Sequence, residues 1–275
     1  MFKIKRLMSA VALASMVGAA SADILTTPDS PIDFGGFDWA SNGSVLIDGY
    51  GVRSGVNNLG DTDTFTLTYQ SFAANIQNAA GVNQFAPGLR QGTGTGYEFT
   101  INATITEQVT CITPGCTAVT ITPISGTWDV YYQAVGNADL VNGTGVLDGT
   151  LVMSGVFGLS DTIIGGQGPT NPGNVTLAGT FLGAVNFVDG VIINDTFTGT
   201  KAVSTLQFGA NTTAWTRPNA FDGIGAIGPN TNTRFVGQAD ANQSFTNDVP
   251  EPGSLALVGL ALAGVAMLGR RRKAV

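Results

Sequence analysis

The chain reads as an all-β protein: an antiparallel sandwich or barrel-like domain between an N-terminal signal peptide and a single C-terminal transmembrane helix. Three observations carry this. Runs between Asp23 and Asp248 alternate apolar with polar side chains, the period of a half-buried strand. Turn-forming pairs punctuate those runs at Asn42-Gly43, Asn142-Gly143, Asp148-Gly149 and Asp189-Gly190. The composition, with 38 Gly, 33 Thr and 19 Asn in 275 residues and only 11% charged, disfavours helices and suits strands and turns.

The elements follow in chain order. Met1 to Ala22 has the three parts of a secretory signal peptide. Lys3, Lys5 and Arg6 form its positive start, and Leu7 to Val17 is an apolar run too short for a mature anchor. Ala20 and Ala22 place small residues where signal peptidase needs them, so the mature chain is expected to begin at Asp23. In the body, Asp63 to Phe72 sets Phe65, Leu67 and Tyr69 against Thr64, Thr66 and Thr68. Similar strands are expected over Tyr97–Val109, Thr117–Thr122, Gly126–Val135, Val146–Leu159, Val175–Val188, Val191–Phe197 and Thr200–Phe208. Ser71 to Ala80 is the best local helix candidate, and Gly165 to Asn174 the clearest loop. With no strict internal repeat, 23–248 is expected to be one domain.

Charge and residue usage exclude several function classes. Seven of the 12 basic residues lie at the two ends. Between Asp23 and Val249 five basic residues face eighteen acidic ones, a formal charge of −13. Such a body repels phosphate backbones, which argues against a nucleic-acid partner. Histidine is absent, which removes imidazole bases, Ser-His and Cys-His nucleophiles and His-liganded metals. Nothing calls for a cofactor.

Cys111 and Cys116 flank a Pro-Gly turn between two Thr-rich strands, so they are expected to pair across the hairpin neck in an oxidising compartment. A metal or redox pair is the alternative, without a third Cys or any His to complete it. Asp61 and Asp63 are weak calcium candidates; an Asx-rich turn is favoured because the acidic loop of a calcium hand is missing. Trp128, inside an alternating strand, is expected in the core. Trp39 and Trp215 lie near Gly, Asn and Pro, and an exposed ring there would stack on a sugar face. Two carboxylates across a cleft would permit glycosidase chemistry, but spacing along the chain does not single out a pair.

The C-terminus carries the most specific signal. Val249-Pro250-Glu251-Pro252 precedes an uncharged stretch, Gly253 to Gly269, and then Arg270-Arg271-Arg272-Lys273. At about 1.5 Å per residue that stretch spans roughly 25 Å, enough for a thin inner membrane. The cations behind it hold that end on the cytoplasmic side. The prolines stop the helix and keep the preceding chain extended. These three parts in order resemble the PEP-CTERM sorting signal of Gram-negative bacteria. The resemblance implies recognition of Pro250, Glu251 and Pro252 by exosortase, an integral-membrane enzyme akin to a cysteine transpeptidase. Exosortase would cut near the motif and pass the protein outward. A plain C-terminal anchor is the other reading.

A second resemblance lies in the body. Asp33–Ala40, Gly126–Tyr132 and the stretch from Asn137 to Gly155 look like segments of flocculation-associated PEP-CTERM proteins, which help cells stay together in flocs beside secreted polysaccharide. The expected function is therefore that of a non-enzymatic protein exported by a Sec-type signal and anchored transiently in the inner membrane. It is then delivered to the cell surface or matrix, with extracellular polysaccharide as its partner. The rivals are a secreted carbohydrate-active enzyme and a calcium-dependent adhesion module.

Overall fold

A computed structural model describes residues 24–26, 31–51, 58–116, 118–158, 163–166, 177–193, 201–208 and 215–246. All of them belong to one compact unit, Ala22–Thr246. The described residues form fifteen strands: β1 Ile24–Thr26, β2 Pro31–Asp33, β3 Gly36–Trp39, β4 Gly43–Asp48, β5 Thr62–Gln77, β6 Asn83–Gln84, β7 Glu98–Cys111, β8 Ala118–Gln133, β9 Thr150–Phe157, β10 Ile163–Gly166, β11 Leu177–Val188, β12 Lys201–Phe208, β13 Ala220–Phe221, β14 Gly225–Ala226 and β15 Arg234–Thr246. The fold is all-β and every ladder between these strands is antiparallel.

The main sheet has eleven strands and closes on itself. Its pairings run β8–β7–β5, then β3 and β4 end to end, then β15–β12–β11–β9, and β9 returns to β8. Two long strands serve two neighbours along one edge. β5 pairs β4 through Thr66–Gln70 and β3 through Ala73–Gln77. β8 likewise pairs β10 and β9 in succession. The result is a ring of strands rather than a regular barrel.

Alternation fills the ring. Phe65, Leu67 and Tyr69 of β5 and Phe99, Ile101 and Ile105 of β7 point inward, as do Trp128 and Val130 of β8. Phe37 sits at the centre of an aromatic group, 4.9 Å from Trp39, 5.0 Å from Phe34 and 5.2 Å from Phe99 between ring centroids. Each such side chain, fully buried, contributes about 1.5–3 kcal/mol. Gly155 stands directly opposite Trp128, and a Cβ there would lie 2.4 Å from the indole. Glycine at this position makes room for the ring.

Several expected strands are found nearly where the alternation placed them, with shifted ends. Four readings need correction. Ser71–Ala80 is not a helix: β5 continues to Gln77. Its apolar residues are dense because both faces are covered, Ile76 by the ring core and Phe72 by Val146 and Ala138 outside it. Thr117–Thr122 and Gly126–Val135 are not separate strands but parts of β8. A bulge absorbs one extra residue, since Thr106 pairs Ser125 while Glu107 pairs Pro123, and the proline is tolerated there. Gly165 and Gly166 belong to β10 rather than to a loop; residues 167–174 lie outside the described ones. Of Val191–Phe197, only Ile193 makes a bridge, to Leu25, and residues 194–197 lie outside the described set.

Candidate functional site

The outer face of β5, β7 and β8 is built by the polar half of the alternation. Register aligns its side chains in rows across the three strands: Thr64 with Gln108 and Thr122, Thr66 with Thr106 and Ser125, and Thr68 with Thr104 and Thr127. Neighbours in a row lie about 4.8 Å apart and successive rows about 6.8 Å apart, the dimensions of a pleated sheet. No position in the three rows carries a charge. Threonine is a good strand former, but exposed sheet faces usually also carry Lys and Glu for solubility. This face offers hydroxyls and an amide, each both donor and acceptor.

A groove of about 450 Å³ opens beside the rows. Thr64, Thr66 and Thr68 form one bank, while Leu46 and Ile224 supply aliphatic surface. Asp48 and Arg234, which also line it, pair with each other at 3.3 Å. Ile224 is 44% exposed at the turn of the β13–β14 hairpin. That hairpin is held by its own aspartate. Asp222 Oδ2 accepts the backbone N–H groups of Val146 (2.9 Å) and Leu147 (3.0 Å). The Asp222 N–H donates to Gln70 Oε1, and Gln70 Nε2 donates to the Asp222 carbonyl (2.9 Å) and to Asn102 Oδ1 (3.0 Å). Asp129, beside Asn102 in the next row, marks the charged end of the face. Burial pushes its carboxyl above the ordinary value, and burial with the Asp129 and Asp222 charges raises the Tyr131 phenol.

The residues singled out from sequence fall in different places. Trp39 is not a sugar platform: it is 1% exposed and stacked on Phe37, because β3 turns it into the ring. Trp128 is core. Trp215 is half-buried on the outside, packed on a cluster that includes Leu46, and its Nε1 donates to Ser44 Oγ at 3.0 Å. It therefore shares Leu46 with the groove. Cys111 and Cys116 form a disulfide across the turn, where Gly115 takes φ +73°. The aspartates at the start of β5 serve the backbone: Asp61 Oδ2 accepts the Asn58 N–H, and Asp63 accepts the N–H groups of Gly51 and Thr64. Among the described residues no three acidic, Cys or His side chains gather as a metal site.

Two buried acids escaped the sequence reading, since nothing in a Thr-rich strand marks a glutamate that the fold will cover. Glu98 is fully buried; Oε1 accepts from Asn137 (2.6 Å) and Ala138 (2.9 Å), and Oε2 from Gly92 (3.2 Å). Glu107 is 2% exposed and its Oε1 has no partner. Burial pushes its carboxyl up to about 8. Both lie on β7, nine residues apart, so about 30 Å of strand separates them and they do not form a pair.

Ala20, Ala22, Asp23, Pro250, Glu251, Pro252 and the Arg270, Arg271, Arg272, Lys273 tail lie outside the described residues. A comparison with known families settles what the C-terminal part is: the family described as the PEP-CTERM protein-sorting motif matches residues 248–273. The chain carries a PEP-CTERM sorting motif. The PEP-CTERM motif implies processing by exosortase and a cell-surface, exosortase-sorted protein. No curated protein matches the chain, and no solved structure matches it.

Proposed function

We propose that the protein is a non-enzymatic component of the extracellular matrix, retained among exopolysaccharide and contributing to floc or biofilm formation. Delivery has two steps. The apolar helix stops transiently in the inner membrane and presents Pro250-Glu251-Pro252 to exosortase. Processing then frees the β domain to make many weak contacts with polysaccharide, which add through effective concentration rather than through one tight site. The observation that carries this reading is the uncharged hydroxyl face with its groove, on a body whose sorting motif directs it to the surface. The resemblance of Asp33–Ala40 and Gly126–Tyr132 to flocculation-associated proteins supports it.

The test is retention of the secreted protein on polysaccharide isolated from its own host, with mass spectrometry of its C-terminus. Retention and loss of Arg270–Lys273 are expected. Free passage of the protein through that polysaccharide would defeat the matrix role, and an intact basic tail on the surface-associated form would defeat the delivery route.

A further inference from the structure

We propose that the polymer taken by the groove and its hydroxyl rows is an uncharged polysaccharide; this rests on reading that face as the polysaccharide contact. The argument comes from where the cations are. Only Arg53, Arg90, Lys201, Arg217 and Arg234 oppose the eighteen acids of the body. Arg53 lies outside the described residues. Arg234, the cation lining the groove, stands 3.3 Å from Asp48, which lines it too, so the two bring it no net charge. Arg90 donates from Nε to the Thr95 carbonyl at 2.7 Å. Arg217 keeps its charge, donates to the Pro218 carbonyl (3.0 Å) and Asn230 Oδ1 (3.1 Å), and is not among the residues that line the groove. Lys201 begins β12, which pairs with β11 and β15 rather than with any strand of the hydroxyl face.

A polyanion approaching this face meets a body of net −13 and no cation of the hydroxyl rows to pair with. A polycation would be drawn to acids anywhere on the surface and would gain nothing from the rows. An uncharged polymer loses nothing to the field. Its hydroxyls exchange hydrogen bonds with Thr66, Thr104 and Thr106, and its C–H faces cover the Leu46 and Ile224 side chains. The groove volume lies within the range of small-ligand clefts, enough for a short stretch of chain.

The experiment is affinity electrophoresis of the secreted protein in native gels containing hydroxyethylcellulose or alginate, at low and high salt. Retardation by the uncharged polymer, unchanged by salt, is expected, with none by alginate. The variant Thr66→Val/Thr104→Val/Thr106→Val keeps shape and strand preference while removing three hydroxyls. It should weaken binding roughly tenfold or more, and an unchanged melting curve would show that it folds. Equal retardation of variant and wild type, retardation by alginate alone, or retardation abolished by salt would each overturn the proposal. Retention on the host's own polysaccharide separates the two readings. If that polymer holds wild type and variant equally, the uncharged-ligand assignment falls while the matrix role stands; if it holds neither, both fall.

Discussion

Replacing Glu107 by glutamine isolates the effect of one acid enclosed in the ring. The carboxyl is 2% exposed, has no cationic partner, and is raised from 4.5 to about 8 by loss of hydration. Below pH 4.5 it is protonated in both folded and unfolded chains. Between pH 4.5 and 8 the unfolded chain releases the proton while the folded one keeps it, so stability falls as pH rises and levels off above 8. At about 1.4 kcal/mol per pH unit the loss at pH 7 reaches about 3 kcal/mol. Glutamine is neutral throughout and does not share it. Asp129 and Asp240 are also raised by burial, but both proteins keep them, so they cancel in the difference. The assay is thermal unfolding of wild type and Glu107→Gln from pH 4 to 8. The variant's melting temperature should gain on wild type by roughly 6–12 °C between pH 4 and pH 7 for a domain of this size. Parallel curves across that range would show that the carboxyl is already ionised in the fold and would refute the reasoning.

Reduction of the Cys111–Cys116 bridge, or Cys111→Ser with Cys116→Ser, should cost about 2 kcal/mol in the chain-entropy account, read as a lower urea midpoint. Glu98→Gln turns an amide toward three backbone N–H groups in place of carboxyl oxygens, and should destabilise by about 2–3 kcal/mol in the same measurement. Asp222→Ala releases the β13–β14 hairpin, so hydrogen exchange at Val146 and Leu147 should rise at least tenfold while the ring amides of β7 stay protected. Gly155→Ala forces a methyl against Trp128 and the Ala184 carbonyl, and should lower stability by about 1–3 kcal/mol.

Much of this architecture was legible in the sequence because half-buried strands announce themselves by period. Phe65 and Leu67 alternate cleanly with Thr64 and Thr66 since only one face of β5 is covered there. Legibility failed where that condition failed. From Gln70 to Ile76 the outer face is also covered, by the hairpin and by Val146, and the alternation dissolves into an apolar run that imitates a helix. β3 and β15 escaped because Gly36–Trp39 is short and Arg234–Thr246 interleaves small and polar residues whose pairing is set by strands nearly two hundred positions away. The disulfide was readable from a local turn. Trp39 was not placed by its Gly-rich neighbours, because in this ring a corner residue turns inward. The hydroxyl rows needed the register: no single strand says which threonine stands beside which.

The strand that completes the ring is β15, which joins β12 near the C-terminus to β3 and β4 near the N-terminus. Its last residue, Thr246, leaves only Asn247, Asp248 and Val249 before Pro250. The body therefore cannot finish folding until its last described residues have joined the ring. Long-range pairing of this kind is also slow. The margin for processing at the sorting motif is equally narrow, since a cut only a handful of residues upstream would remove Phe245 from the aromatic core and undo the closure. The placement of the final strand thus ties complete folding and permissible processing to one short stretch of backbone.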